Sequence, residues 1–139
     1  MTRISLLLFV AVVACSGCRA FDGSPEQQVV ALIHRLQGDK AGTAFRDLFE
    51  GSLAAERKPT EIRMLDSQAK AVWEVIGMPQ EFEIVARQEI GKRIFQIKWV
   101  SWHDGEVPMF WNAMFIKRAE KWEPYLIFFF DDPSKAGIS

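Results

Sequence analysis

The sequence predicts an α+β domain, three N-terminal helices packed on a four-stranded antiparallel meander, and two observations carry that reading. Apolar residues recur at intervals of three and four between residues 24 and 79, then at every second position from 81 to 130. Gly77 and Pro79 mark the change of period, the first suited to end a helix and the second unable to continue one.

The first helix opens at Ser24-Pro25-Glu26-Gln27, where Ser24 caps, Pro25 suits the first turn and Gln27 reaches back to the cap. Val29, Val30, Ile33 and Leu36 then share a face until Gly38. A second, short helix carries Ala44, Phe45, Leu48 and Phe49 and stops at Gly51. In the third, Ile62, Leu65, Ala69, Val72 and Ile76 step by three and four, with Thr60 as the cap.

The first strand alternates Phe82, Ile84 and Ala86 with Glu83 and Arg87, and Gly91-Lys92 supplies a tight turn. Phe95, Ile97 and Trp99 alternate in the second strand, and residues 103–108 read as a longer loop. Residues 109–118 and 121–130 form the last two strands, joined at Ala119-Glu120. Asp131-Asp132-Pro133 ends the ordered domain, leaving 133–139 as a loose tail.

Pairing the strands through these turns places Phe82, Ile84, Ala86, Phe95, Ile97, Trp99, Met109, Trp111, Ala113, Phe115, Trp122, Leu126, Phe128 and Phe130 on one face. The helices must cover it. The opposite face is charged near the first strand, at Glu83, Arg87 and Glu89, as suits an exposed edge. Further across it turns apolar, with Val100, Trp102, Phe110, Met114, Ile116, Tyr125, Ile127 and Phe129. That second patch reads as a dimer or partner surface, because monomers rarely expose large contiguous apolar patches. The alternative is that the second helix or the tail folds over it.

The first eighteen residues read as a secretion signal: Arg3 is basic, residues 4–14 are apolar except for Ser5, and small residues follow. An apolar run of that length makes a helix of about 16 Å, half a bilayer core, too short to span. A cysteine directly after small residues resembles the bacterial lipobox: Val12-Val13-Ala14-Cys15 fits it at every position and is favoured, Cys18 ends Ser-Gly-Cys but has a cysteine where leucine is usual, and a plain secretory signal is the alternative. The resemblance implies a lipid on that cysteine, anchorage in the bacterial cell envelope and a short linker, residues 19–23. With no cysteine after Cys18, a disulfide framework and a cysteine metal site are excluded from the domain.

Without Arg3, 16 basic and 18 acidic side chains remain, a net charge near −2. That balance argues against nucleic acid, whose binding needs a basic stripe. Hydrophobic residues make up 49% of the chain, enough for a good core without staples.

Helices followed by a curved four-stranded meander, with the late hairpin Lys117-Arg118-Ala119-Glu120-Lys121-Trp122, resemble the nuclear transport factor 2-like, or cystatin-like, superfamily over residues 24–132. The resemblance implies a cone whose concave face the helices fill, and an outer sheet face that often makes a dimer. Its members include isomerases and dehydratases as well as binding domains, so the fold alone selects no function.

Candidate chemistry is sparse. His103 and Asp104, in the loop after the second strand, are the residue types of an acid–base pair, and with Glu106 of a metal site; ligand spacing is lacking and no metal or cofactor is expected. Trp99, Trp111, Phe115 and Trp122 would line the cone, either as core or as the walls of a pocket for a small apolar molecule. The expectation is a non-catalytic envelope lipoprotein acting in homodimerisation or protein interaction. The alternatives are a small-ligand cone and a small lyase or isomerase using His103.

Overall fold

The computed structural model describes residues 21–38 and 41–138. The signal segment with Cys15 and Cys18 lies outside the described residues. Among the described residues four α-helices precede the sheet: α1 (Pro25–Leu36), α2 (Ala44–Phe49), α3 (Leu53–Arg57) and α4 (Pro59–Ile76). The sheet is β1 (Glu81–Ile90), β2 (Ile94–His103), β3 (Val107–Arg118) and β4 (Lys121–Phe130), antiparallel neighbours in chain order. No helix among the described residues is long and apolar enough to cross a membrane.

The capping box at Ser24 and Gln27 forms as expected, with both reciprocal hydrogen bonds in place. The third expected helix starts earlier, because Pro59 takes its first position and Lys58, not Thr60, is the cap. The extra helix α3 is held at its start by Ser52 Oγ, which accepts from Ala55 N at 3.1 Å, and by Glu123 on β4, whose Oε1 accepts from Leu53 N at 2.9 Å. Phe21, expected in a free linker, is buried at 2% exposure beneath the Arg35 guanidinium, 4.9 Å from its ring.

One core lies between helices and sheet. Val29, Leu32, Ile33 and Leu36 of α1, Phe45, Leu48 and Phe49 of α2, and Ile62, Ala69 and Trp73 of α4 meet Ile97, Trp99, Trp111, Ala113 and Phe115. Two bulges correct the expected faces. In β1 the register shifts between Ile84 and Ala86, so Ala86 pairs with outward Lys98 while Arg87 pairs with inward Ile97. Arg87 therefore reaches α1, donating to both carboxylate oxygens of Glu26 at 2.8 and 2.7 Å.

In β4 the register shifts beside Pro124, which pairs with Phe115, while Leu126 pairs with Met114. Proline has no N–H for the ladder and is tolerated in strands mainly at edges and bulges. The extra residue turns the rest of the strand over. Tyr125, Ile127 and Phe129, expected outside, pack against the core, with Ile127 at 4% exposure. Leu126 and Phe128, expected inside, are half-buried and exposed, Phe128 at 46%.

The expected loose tail is an ordered turn. Asp132 Oδ1 accepts from Ser134 N at 2.9 Å, Gly137 N donates to Ser134 O at 3.2 Å, and Ile138 N to Pro133 O at 2.9 Å. Gly137 sits at φ +70°, closing the turn as a glycine closes a helix end. Ala136 is 1% exposed, its carbonyl held by Asn112 on the outer sheet face.

Candidate functional site

His103 ends β2 and points inward, 3% exposed, between the sheet and the C-terminus of α4. Its ring stacks on Trp73 with centroids 4.6 Å apart. Nδ1 lies 2.8 Å from Gly77 O, a pure acceptor, so Nδ1 carries the proton. Nε2 then accepts from the Ser101 hydroxyl at 2.8 Å, and Ser101 Oγ accepts from Trp111 Nε1 at 2.8 Å. The network is a closed chain from indole to hydroxyl to imidazole to carbonyl. Burial holds the His103 pKa below its ordinary value; the Gly77 hydrogen bond and the Asp104 charge pull the other way without overcoming it.

Asp104 is exposed beside this network, accepting from the Gln80 amide. It also crowds Gly77, whose φ of +83° and lack of a side chain leave the room the Asp104 carboxylate occupies. The structure thus brings His103 and Asp104 together, yet both imidazole nitrogens are committed and sealed. No group of histidine, cysteine and acidic residues able to hold a metal occurs among the described residues.

The aromatic residues expected around a pocket fill it instead. Trp99, Trp111 and Phe115 are 0%, 1% and 0% exposed, with Trp99 stacked on Trp111 at 5.2 Å and Trp111 against Phe129 at 4.8 Å. Trp122 is half-buried at the far end, edge-on to Phe95 at 6.0 Å. An open cleft of about 360 Å³ lies elsewhere, between α4 and β4, walled by Phe49, Ile62, Leu65, Leu126, Ile127 and Phe128. Lys58 stands at this cleft, its ammonium 4.2 Å from the Tyr125 ring centre.

The outer sheet face carries Val100, Trp102, Phe110, Met114 and Ile116 where expected, joined by Leu126, Phe128 and Phe130 from β4. Val100 is 8% exposed, Trp102 38% and Phe128 46%. Phe128 and Phe130 stack at 6.2 Å. A polar row crosses this apolar field. Gln96 Nε2 donates to Asn112 Oδ1 at 3.0 Å, Asn112 Nδ2 to Ala136 O at 2.9 Å, and Lys98 Nζ to Gly137 O at 2.7 Å.

Sequence reasoning missed three buried polar groups. Asp66, 6% exposed, crosses from α4 to cap α2, accepting from Phe45 N at 2.9 Å and Arg46 N at 3.1 Å. Burial raises its pKa, against the lowering effect of those two backbone bonds. Its signal was available: Asp66 stands four after Ile62 and three before Ala69, inside the apolar stripe. Glu123, 5% exposed, also takes Arg118 Nε at 3.0 Å, and Gln28, fully buried, donates to Gly23 O and Trp122 O at 3.1 and 2.8 Å. Both are recognisable only once the strand lies beside the helix.

No protein-family model and no curated protein matches the chain. Among solved structures, a Campylobacter jejuni protein described as an NTF2-like transpeptidase superposes with a TM-score of 0.53 at 17% identity, covering 74% of this chain and 99% of its own. Four helices leading into a four-stranded antiparallel meander, superposable on that structure, give this chain the nuclear transport factor 2-like fold.

Proposed function

We propose that the chain is a non-catalytic recognition domain, held at the bacterial cell envelope by a lipid on Cys15 or Cys18, that associates with a second copy through its outer sheet face. The observation that supports it is the apolar field around Trp102, Phe110, Phe128 and Phe130, open on a sheet whose other face is already filled. The face also carries charge of both signs, Lys98 on β2 and Glu81 and Glu83 opposite Trp102 and Val100. A patch with both signs can complement itself across a two-fold axis.

Catalysis finds no support in the interior. Transpeptidation, in the neighbour's description, needs a reachable nucleophile and base; here Ser101 and His103 hydrogen-bond each other at 1% and 3% exposure. Sedimentation velocity over a rising concentration series tests the reading. Phe128→Glu should shift association to higher concentration while the fold stays intact, and unchanged association would overturn the proposal. Ile127→Glu is the contrasting control, expected to unfold the domain because it places a charge in the core.

The cleft between α4 and β4 supports a second reading, a binding site for a small apolar molecule, since its volume falls within the range of ligand pockets. Native mass spectrometry would show a reproducible adduct, lost on Leu65→Asp; a bare chain from every preparation would remove this reading.

A further inference from the structure

The polar row on the outer face interrupts the apolar field of β2, β3 and β4. Gln96 fixes the Asn112 amide, so that Asn112 Nδ2 and Lys98 Nζ both meet backbone carbonyls of the turn after β4. Side-chain donors on main-chain acceptors make a seat for a backbone, and the buried Ala136 methyl is the one side chain there that is almost wholly enclosed. Gly137 supplies the positive φ of +70° that turns its carbonyl toward Lys98.

The turn is also self-contained. Asp132 takes Ser134 N and Oγ at 2.9 and 2.7 Å, Gly137 N closes on Ser134 O, and Ile138 N on Pro133 O. It can therefore leave the sheet without losing its own hydrogen bonds, giving up those from Asn112 Nδ2 and Lys98 Nζ and uncovering Ala136. Undocking also releases Lys98 and Asn112, donors in the middle of the face.

We propose that residues 132–138 are a latch on the outer face, and that a second copy seats there only when the latch has left Lys98 and Asn112. The inference rests on the reading of this face as a homotypic surface. The second copy is the occupant because the released Lys98 needs an acceptor and the same face on another copy supplies Glu81 and Glu83. Charge and apolar surface then pair in one step.

The test compares the full chain with a chain ending at Asp132 by sedimentation velocity in matched detergent. Removing the latch should move association to about tenfold lower concentration, and a free peptide of residues 131–139 should restore the original curve. Gly137→Val, which strains the positive φ of the turn, should act in the same direction without shortening the chain. Identical association curves for all three chains would overturn the latch and leave the homotypic surface standing. No association in any of them would overturn both.

Discussion

Ser101→Ala tests whether the buried chain of hydrogen bonds is structural. The hydroxyl accepts from Trp111 Nε1 and donates to His103 Nε2, both at 2.8 Å. Its removal leaves a buried indole N–H and a buried imidazole lone pair unpaired. Each such group costs about 1–3 kcal/mol, so the variant should lose roughly 2–6 kcal/mol. For a domain of this size that corresponds to a melting temperature lower by about 8–24 °C. Thermal melts by circular dichroism, with urea titrations for the free energy, read it directly. A loss under about 0.5 kcal/mol would show that these contacts do not hold the core.

The same site sets a pH dependence. The folded pKa of His103 lies below its ordinary 6.5 because burial opposes the charge. As pH falls below 6.5 the unfolded chain takes up the proton before the folded one, so stability declines from there toward the lower folded value. His103→Phe should flatten that decline; an unchanged slope would assign it to other groups.

Two further outcomes follow from the backbone. Asp66→Ala strips α2 of both acceptors at its start and should cost about 2–4 kcal/mol by urea denaturation; Asp66→Asn, which cannot ionise, should remove the loss of stability that a raised carboxyl pKa produces as pH climbs above 3.8. Ala119 and Glu120 both lie at positive φ, +50° and +62°, in the two-residue β3–β4 turn. Asn-Gly suits those angles and should raise stability by about 1 kcal/mol, and a lowered melting temperature would refute the strain.

The fold was legible where local chemistry decides it. Ser24, Pro25 and Gln27 mark a helix start, and Ala119-Glu120 places the β3–β4 turn, whereas the β1–β2 turn takes a third residue and pairs Ile90 with Ile94 rather than 90 with 93. The faces of β4 went wrong at one residue, and the sequence carried a signal, since Pro124 inside a strand marks an edge or a bulge and here lies at both. The ordered turn was missed, because Asp132-Pro133 reads as the end of a strand and the six residues after it are too few to show a helical period. Burial of His103 was not legible, because it depends on α4 ending at Gly77, whose carbonyl meets the imidazole across 26 residues of chain. Nor was the seat for the turn. Gln96, Lys98 and Asn112 read singly as polar strand residues, and only the β2–β3 register brings them together.

Lys98 and Ser101 stand three residues apart on β2 with side chains on opposite faces, and that placement separates the two roles of the sheet. Ser101 is enclosed with the core, so its loss should lower the melting temperature and leave the association of the folded fraction unchanged. Lys98 is half-buried on the outer face, and its contact is one hydrogen bond to Gly137 O at 2.7 Å. Lys98→Met keeps the length of the side chain, removes the donor and should change the melting temperature by less than about 4 °C, since one hydrogen bond at a surface is worth about 1 kcal/mol. On the proposed latch and homotypic surface, its effect belongs to association, where the latch loses the Lys98 bond while the opposing Glu81 and Glu83 of a second copy lose their partner. Those changes oppose each other, so the salt dependence decides between them: association of the unaltered chain should weaken with added salt, and that of Lys98→Met should not. Equal salt dependence in both chains would remove Lys98 from the interface, and a shift of association in folded Ser101→Ala would show that the two faces are coupled.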